Sequence, residues 1–396
     1  MKTALLDISI LILFYGLSLQ KGFASAGRNY CRDSSNLPVD SLSLTCSNMR
    51  SLPLIFKKGY IMIYRREVPG IIEIVNVKGK IIWAYQSQHA GFKVVRFTTQ
   101  RTLLCLVGTK EFDPGYGNTI LELSLQGDTL LLLKKGQRDF KQFIHHEILL
   151  NSKNEIVALI SEDRIFDLSS NGGTAKDTVR GDGIIVMNRQ GRQLWKWTIF
   201  DALNPMQDKY ITKNKKDWVH ANSISFDRDG NYLVSFYNLG QIWKINAKTG
   251  KVMWKFGKGG DFQMPFLSIF QQSHTAYINQ KNWLMVFDNG ADIKRSRSLA
   301  FQLNPVTKTA TLLLETWLPP SFYSERMGST YLINDTTLLT CSANKKTVVL
   351  TNMKGNFLWE LRSSKIASYR AEFISGDKLI SGLYRHLSFA NKIKNN

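Results

Sequence analysis

Short runs of alternating apolar and polar residues, separated by polar turns, fill the chain from Ile71 to near its end. This alternation predicts antiparallel β-strands joined by tight turns. A complete unit is DWVHANSISFDRDGNYLVSFYNLGQIWKINAKTGKVMWKFG, residues 217–257. Long helical periodicity is absent, which argues against a doubly wound α/β fold.

Two strand signatures recur along the chain. The first is an outer hairpin, which starts at Ile71, Ile120, Gly183, Gln241, Leu299 and Val348. Four of these hairpins place tryptophan four residues after glycine: Gly79/Trp83, Gly191/Trp195, Gly250/Trp254 and Gly355/Trp359. We expect the glycine to adopt the positive φ of a tight turn and the tryptophan to pack between neighbouring sheets.

The second signature is an inner strand pair, which starts at His89, His146, His220, His274, Met327 and Tyr369. Six units in a constant order predict an all-β fold, a six-bladed β-propeller closed by pairing of the N- and C-terminal strands. The chain opens with an outer hairpin, so we expect it to close with an inner pair in the same blade. The strand Tyr60–Tyr64 competes with Lys378–Leu383 for a place there. A pair of β-sandwiches is the alternative, but it does not explain the constant order.

The predicted organisation has four parts. Residues 1–26 resemble a secretory signal, with Lys2 before an apolar run and the small residues Ala24-Ser25-Ala26 at its end. Residues 27–55 form an N-terminal extension, 56–388 the propeller and 389–396 a basic tail. A cleaved signal predicts a periplasmic or secreted protein, and an uncleaved signal would instead associate the protein with a membrane.

The four cysteines fit this prediction of export. Cys31 and Cys46 flank a short polar segment and could form a disulfide in an oxidising compartment. Cys105 and Cys341 lie within apolar strand patterns, where we expect them to be buried.

The formal net charge of +21 favours anionic partners. No RNP, helix-turn-helix or zinc-finger pattern accompanies that charge, so nucleic acid is not the predicted partner. The charge by itself does not distinguish between sulfate esters, phosphate esters and an anionic membrane.

Equivalent positions of the first strands converge on the axis of a propeller. Four of the six histidines, His89, His146, His220 and His274, fall in this register, and Arg326 and Arg370 adjoin its last two positions, Met327 and Tyr369. His145 and His386 fall outside it, where surface or loop positions are expected. Such a cluster could bind a metal, cradle an anion, or provide a nucleophile with acid–base partners. No H-x-H or H-E-x-x-H spacing supports a metal, so the other two uses are favoured.

The blocks DWVHANSI, FQQSHTAYIN with VFDNG, YSERMGSTYLI and SYRAEFI resemble those of the bacterial arylsulfate sulfotransferases. This resemblance implies an exported six-bladed propeller that moves a sulfuryl group from an aryl sulfate to a phenol without a nucleotide donor or other cofactor. By the same resemblance His274 is the nucleophile that becomes a transient sulfohistidine. His220 and His146 assist it, and Asn222 is a supporting residue.

One position departs from the family pattern. Tyr237 stands where the family places an arginine on the strand after DWVHANSI, and a tyrosine donates a hydrogen bond but no charge. We therefore consider Arg370 as the source of the charge and Tyr237, Asn222, His89 and Arg326 as substrate-binding residues. The natural donor, the acceptor and the oligomeric state stay open.

Two other functions compete with sulfuryl transfer. A non-catalytic propeller that binds partners on its faces is favoured by Tyr237 and by the frequent use of this fold as a scaffold. NAKTGKVMW also resembles the repeat of quinone-dependent dehydrogenases. Those proteins have eight blades and a carboxylate-bound calcium, whereas six units and no such acidic cluster are predicted here.

Overall fold

The computed structural model describes residues 42–46, 49–113, 115–363 and 368–383, which form six antiparallel sheets arranged as a six-bladed β-propeller. The predicted fold class is thus confirmed. Four sheets have four strands, and two gain a fifth strand at one edge. The second strand of each blade is largely buried on both faces, which explains why these strands are rich in valine, leucine and isoleucine.

The first half of the chain supplies blades 1 to 3. Strand β1 (Leu42–Cys46) and helix α1 (Leu54–Lys57) precede them. Blade 1 contains β2 (Tyr60–Tyr64), β3 (Gly70–Asn76) and β4 (Ile81–Ser87). Blade 2 contains β5 (Gly91–Phe97), β6 (Leu103–Gly108), then, after the short β7 (Tyr116–Gly117), β8 (Thr119–Leu123) and β9 (Thr129–Lys134). Blade 3 contains β10 (Ile144–Leu150), β11 (Ile156–Phe166), β12 (Asp177–Met187) and β13 (Gln193–Thr198), with β7 at its inner edge.

The second half supplies blades 4 to 6. After helix α2 (Ile211–Asn214), blade 4 contains β14 (Ala221–Phe226), β15 (Tyr232–Phe236), β16 (Gln241–Ile245) and β17 (Val252–Gly257). Blade 5 contains β18 (His274–Ile278), β19 (Leu284–Asp288), β20 (Arg297–Asn304) and β21 (Thr309–Trp317). Blade 6 contains β22 (Ser329–Leu332), β23 (Thr337–Ser342), β24 (Thr347–Asn352) and β25 (Phe357–Ser363). Strand β26 (Glu372–Ile374) and helix α3 (Gly376–Leu383) follow.

Short 3₁₀ helices lie in the connections. They span Met49–Ser51, Ser169–Asn171, Ile199–Asp201, Pro205–Gln207, Phe266–Ser268, Pro320–Phe322 and Ala343–Lys345. None of the helices in the described part of the chain is long and apolar enough to cross a membrane.

The ring closes in blade 1, where β26 pairs with β2 through Tyr60↔Ile374 and Met62↔Glu372. The two chain ends therefore meet in one blade, as predicted. The expected closing inner pair is wrong, however, because the C-terminus supplies one strand and Tyr60–Tyr64 takes the second position. Residues 61–64 are fully buried, as a central strand requires, whereas Gly376–Leu383 forms α3 and buries Leu379 in the core between blades 1 and 2.

The predicted glycine–tryptophan turns are confirmed. Gly79, Gly191, Gly250 and Gly355 all have positive φ, between 72° and 84°. The indole Nε1 of Trp83 donates to the Leu125 carbonyl at 2.8 Å, that of Trp195 to Lys248 at 3.3 Å, and that of Trp359 to Val77 at 2.8 Å. Each acceptor lies in the outer turn of the next blade, so these tryptophans join neighbouring blades.

The N-terminal extension contributes to the propeller through β1, which pairs with β25 from Leu42↔Ser363 to Cys46↔Trp359. This added strand covers the outer edge of blade 6. Cys105 and Cys341 are buried thiols, as expected. The predicted signal (1–26), Cys31, His386 and the basic tail (389–396) lie outside the described residues, as does the side chain of Cys46.

Candidate functional site

Three histidines from blades 3, 4 and 5 meet at one face of the ring. This face holds the starts of the first strands and the ends of the second strands. His146 lies in β10, His220 directly precedes β14, and His274 opens β18. The ring centroids of His146 and His220 are 4.9 Å apart. The predicted convergence of repeats distant in sequence therefore holds for these three.

Two tyrosines complete the axial site, which we define as His146, His220, His274, Tyr237 and Tyr369. The Tyr237 ring lies between two histidines, 5.3 Å from His220 and 5.2 Å from His274. The Tyr369 ring lies 5.8 Å from His146 and 6.1 Å from His274. Five aromatic rings from four blades thus surround one small region on the axis.

His146 is held in the left-handed region, at φ +56°, where a bulge interrupts the pairing of β10 with β11. The bulge also turns His145 inward, so the expectation of a surface or loop position for His145 is wrong. His145 is buried, with Nε2 3.1 Å from Asp182 Oδ1 and Nδ1 2.9 Å from His146 Nδ1. With the His145 proton on Nε2 facing the carboxylate, His146 donates through Nδ1. Its Nε2 then presents a lone pair toward Gly115.

The electrostatics keep His146 neutral. Burial lowers its pKa well below the ordinary value, and the charges of His220 and Arg66 lower it further. A neutral imidazole with a free lone pair can accept a proton, so this residue has the properties of a general base.

His220 has the opposite character. Its Nδ1 lies 2.7 Å from Asp217 Oδ2. Burial opposes protonation, but the hydrogen bond and charge of Asp217, with a smaller effect from Asp182, raise the pKa of His220 above its ordinary value. The protonated ring donates through Nδ1 to Asp217 and keeps Nε2–H as a donor toward the axial site.

His274 is buried and neutral. Its Nδ1 lies 2.6 Å from Asn289 Oδ1, and its Nε2 accepts a hydrogen bond of 3.2 Å from the Met327 backbone N–H. Asn289 is itself oriented, because its Nδ2 donates to the carbonyls of Ser324 and Met327. Burial lowers the pKa of His274 to about 3, with His220 and Arg66 acting in the same direction against the Asn289 hydrogen bond. The Nε2 lone pair is therefore available as a nucleophile near neutral pH.

Asn222 connects the strands that bear two of these histidines. Its Nδ2 donates to the Ser273 carbonyl at 2.8 Å, directly before His274. Its own carbonyl accepts from Tyr369 Oη at 2.9 Å and from Arg370 Nη2 at 2.8 Å. Asn222 therefore acts on the position of His274, and the structure does not place its side chain beside the other histidine rings.

Arg370 is committed to a buried ion pair. Its Nη1 contacts Glu147 Oε2, and Arg96 binds the same carboxylate through Nε at 2.8 Å and Nη2 at 2.5 Å. Arg370 is almost fully buried. This network fixes Glu147, the residue next to His146. The charge of Arg370 is engaged by Glu147 and is not directed at the three histidines.

Of two further predicted residues, His89 lies away from the axial site, and Arg326 lies on the exposed rim near Tyr237 and Arg66, on whose pKa values its charge acts. His89 is exposed in the loop before β5 and lines a separate cavity of about 150 Å³ with Tyr85, Phe92, Leu121 and Lys134 among others. Arg326 is exposed beside Met327, and its backbone N–H donates to Asn344 Oδ1. The register prediction fails for His89 because β5 begins two residues later, at Gly91.

Arg66 is the principal residue that sequence reasoning missed. It follows β2 directly after Arg65, is almost fully buried, and lies with its guanidinium carbon 4.8 Å from the centre of the Tyr369 ring. Its Nη1 is 2.7 Å from Met327 Sδ. The sequence contained one indication of this role, the strand Tyr60–Tyr64, whose position in the blade the strand pattern leaves open. Assigning that strand to the second position of blade 1 brings Arg66 to the axis.

No group of three or more histidine, cysteine, aspartate or glutamate side chains within the described ranges has an arrangement suited to a metal ion. The three axial histidines instead have different partners, namely His145, Asp217 and Asn289.

Residues 53–371 match the sequence profile of the family described as Arylsulfotransferase (ASST). The chain belongs to this family. Membership supports sulfuryl transfer in general, with aryl sulfates and phenols as the substrate class. None of the curated proteins compared with the chain matches it.

Solved structures support the fold alone. A protein of unknown function from Bacteroides caccae is 12% identical, with a TM-score of 0.51, over 80% of this chain and 99% of that one. A chain of the nidogen/laminin complex is 9% identical, over 80% of this chain and 99% of that one, and its TM-score of 0.46 is too low to bear on the fold. At such identities the likeness is one of architecture, so the arylsulfotransferase function has to be argued from the axial site.

Proposed function

We propose that this arylsulfotransferase moves a sulfuryl group from an aryl sulfate to a phenol through a sulfohistidine at His274. The observation that carries the proposal is the different environment of two histidines: His274 Nδ1 faces the Asn289 amide oxygen, and His220 Nδ1 faces the Asp217 carboxylate. The pKa of His274 is lowered to about 3, whereas that of His220 is raised. A nucleophile and an acid of the same residue type are thereby kept in different protonation states at one site.

In the first half-reaction His274 Nε2 attacks the sulfur of the aryl sulfate. The N–S bond forms, the bond between sulfur and the aryl oxygen breaks, and its electron pair goes to that oxygen. His220 donates its Nε2 proton to the departing phenolate. The Met327 N–H, which hydrogen-bonds to His274 Nε2 in the resting site, has to give up this acceptor as the sulfur approaches.

In the second half-reaction a phenol gives its proton to a neutral histidine, and its oxygen attacks the sulfur. The N–S bond breaks and its electron pair returns to His274 Nε2. His220, which lost its proton in the first step, can take the phenol proton and be restored. His146 offers a second acceptor through its Nε2 lone pair.

The other predicted residues have supporting roles in this proposal. Tyr237, between His220 and His274, donates its hydroxyl hydrogen to a sulfuryl oxygen. Asn222 and Arg370 act as positioning residues through the Ser273 carbonyl and Glu147. Arg326 attracts the anionic donor from the exposed rim. The predicted signal places the reaction in the periplasm or outside the cell.

The test uses purified full-length protein, a chromogenic aryl sulfate carrying labelled sulfur, and a phenol acceptor. We expect release of the chromophore, transfer of label to the acceptor, and label on the protein when acceptor is omitted. His274→Ala should lose activity by about 10⁴-fold or more and retain no label. A non-catalytic scaffold would retain no label in the wild type, and equal labelling of His274→Ala would refute the assigned nucleophile.

A further inference from the structure

A sulfuryl group in transfer carries negative charge on its oxygens, so the axial site needs a cation beyond His220. Tyr237 contributes no charge. Arg370 shares the Glu147 carboxylate with Arg96, and Glu372 is a second carboxylate whose charge acts on both arginines. Arg326 is exposed on the rim of the site. The remaining question is which described cation faces both His146 and His274.

Arg66 lies in blade 1 next to the place that corresponds to Tyr237 in blade 4, one residue further along the chain. Both residues follow the second strand of their blade at the face that carries the histidines, Arg66 two residues after β2 and Tyr237 one residue after β15. Asn289 occupies the same place after β19 in blade 5. The pseudo-symmetry of the ring therefore brings residues from these three positions to a common axis, although they are far apart in sequence.

The contacts of Arg66 reach both histidines. A Cβ atom built on Gly115 would lie 3.1 Å from His146 Nε2 and 3.5 Å from Arg66 Nη2, so the two groups border the same small space. On its other side, Arg66 Nη1 lies 2.7 Å from Met327 Sδ. The backbone N–H of the same methionine hydrogen-bonds to His274 Nε2. Met327 thus connects the guanidinium to the nucleophilic nitrogen.

We propose that Arg66 binds the sulfuryl oxygens and replaces, from blade 1, the arginine that the family resemblance places at Tyr237. A thioether is a weak hydrogen-bond acceptor, whereas a sulfonate oxygen is a strong and charged one. A substrate oxygen accordingly replaces Met327 Sδ as the acceptor at Arg66 Nη1. At the same time the hydrogen bond from the Met327 N–H to His274 Nε2 is lost. The role of Arg66 in turnover rests on the proposed function, whereas its binding of an anion does not.

The electrostatics agree with this geometry. Burial is the largest cause of the low pKa values of His146 and His274, and the charge of Arg66 is among the causes that lower both further. Removing the guanidinium should therefore raise the pKa of His274, and the binding of a sulfonate anion is the readout that separates a substrate-binding role of Arg66 from a purely structural one.

The experiment compares Arg66→Met with Arg228→Met. Arg228 is an exposed arginine in the turn between β14 and β15, at the far end of β14 from His220, and its guanidinium contacts the carbonyls of Asn279 and Gln280. We expect Arg66→Met to lower kcat/KM for the aryl sulfate by about 10²–10³-fold. It should also weaken binding of an inert aryl sulfonate, measured by calorimetry, and raise the pKa of His274, measured by NMR titration. Arg228→Met should match the wild type in all three.

Equal sulfonate affinity in the two variants would overturn the role of Arg66, even if His274 is labelled normally. Conversely, a wild type that binds the sulfonate through Arg66 but transfers no sulfuryl group would overturn the proposed function and leave this inference standing. Thermal unfolding checks that each variant is folded. If Arg66→Met does not fold, Arg66→Gln, which keeps a hydrogen-bond donor and loses the charge, is compared with Arg228→Met in the same way.

Discussion

At the scale of single residues, three chemically identical side chains acquire different properties from their neighbours. His220 has a carboxylate on Nδ1, His274 an amide oxygen, and His146 another histidine. Burial favours the neutral form of all three, and only the carboxylate reverses that preference. The axial site therefore favours protonation of His220 over that of His146 and His274, which is the distinction that an acid, a nucleophile and a base require.

Asp217→Asn tests this division. Loss of the carboxylate lowers the pKa of His220, so the protonated fraction falls. Activity that needs protonated His220 declines as pH rises through that pKa, and in the variant the decline should begin at lower pH. We expect a loss of up to about 10²-fold in kcat/KM above neutral pH.

The measurement is the pH dependence of kcat/KM for the aryl sulfate. Asp335→Asn is the matched control, because Asp335 pairs with Lys281 in the exposed turn between β22 and β23. An alkaline limb in Asp217→Asn that coincides with the wild type would show that Asp217 does not control the acid.

At the scale of elements, strand ends and bulges place the chemistry while the outer turns hold the blades together. First strands carry the histidines where their pairing with the second strands is irregular. The second strands are followed by Asn289, by Tyr237 and, in blade 1, by Arg66. The outer strands carry the tryptophans whose indole N–H groups donate into the next blade. Stability and function are thus separated along the radius of each blade.

The tryptophan that joins blade 6 to blade 1 should matter most for closure. Trp359→Phe removes the 2.8 Å hydrogen bond to the Val77 carbonyl and leaves that acceptor in a buried contact. We expect a loss of about 2–4 kcal/mol in the free energy of unfolding.

Trp195→Phe is the control in the same repeat position, because that tryptophan is half-buried and its hydrogen bond to Lys248 is longer, at 3.3 Å. It should lose less than about 1 kcal/mol. Denaturant unfolding of both variants gives the comparison, and equal losses would mean that closure at blade 6 has no special weight.

At the scale of the whole molecule, the chain has a net charge of +21, and the axial site is the one we propose to bind an anion. A positive field raises the encounter rate of a charged donor, and salt screens that field over a Debye length. The chemical step inside the buried site is screened much less. The charge therefore belongs to the capture of substrate and not to the fold.

We expect kcat/KM for the anionic aryl sulfate to fall by about 10-fold between roughly 0.01 M and 0.1 M salt, with kcat nearly unchanged. The uncharged phenol acceptor serves as the internal control, because its kcat/KM should vary little over the same range. Parallel salt dependence for donor and acceptor would assign the effect to the protein's conformation and not to steering.

The histidines show which parts of the candidate site could be predicted from the sequence. The repeat predicted that His146, His220 and His274 converge, and their rings do. The same register failed for His89, because β5 starts two residues later and leaves that histidine exposed in a loop. It also placed His145 outside the site, because a bulge that turns His145 inward has no signal in the alternation of apolar and polar residues.

Alternation, turn glycines and repeats are local properties of the chain, so the strands, the six blades and the family motifs could be predicted before the fold was known. The pairing of β26 with Tyr60–Tyr64, the ion pair of Arg370 with Glu147 and the position of Arg66 beside the Tyr369 ring became visible only in the folded protein. Pairing of charges depends on distances between blades that no local pattern records. Ring closure set those distances, and through them the protonation states on which the proposed chemistry depends.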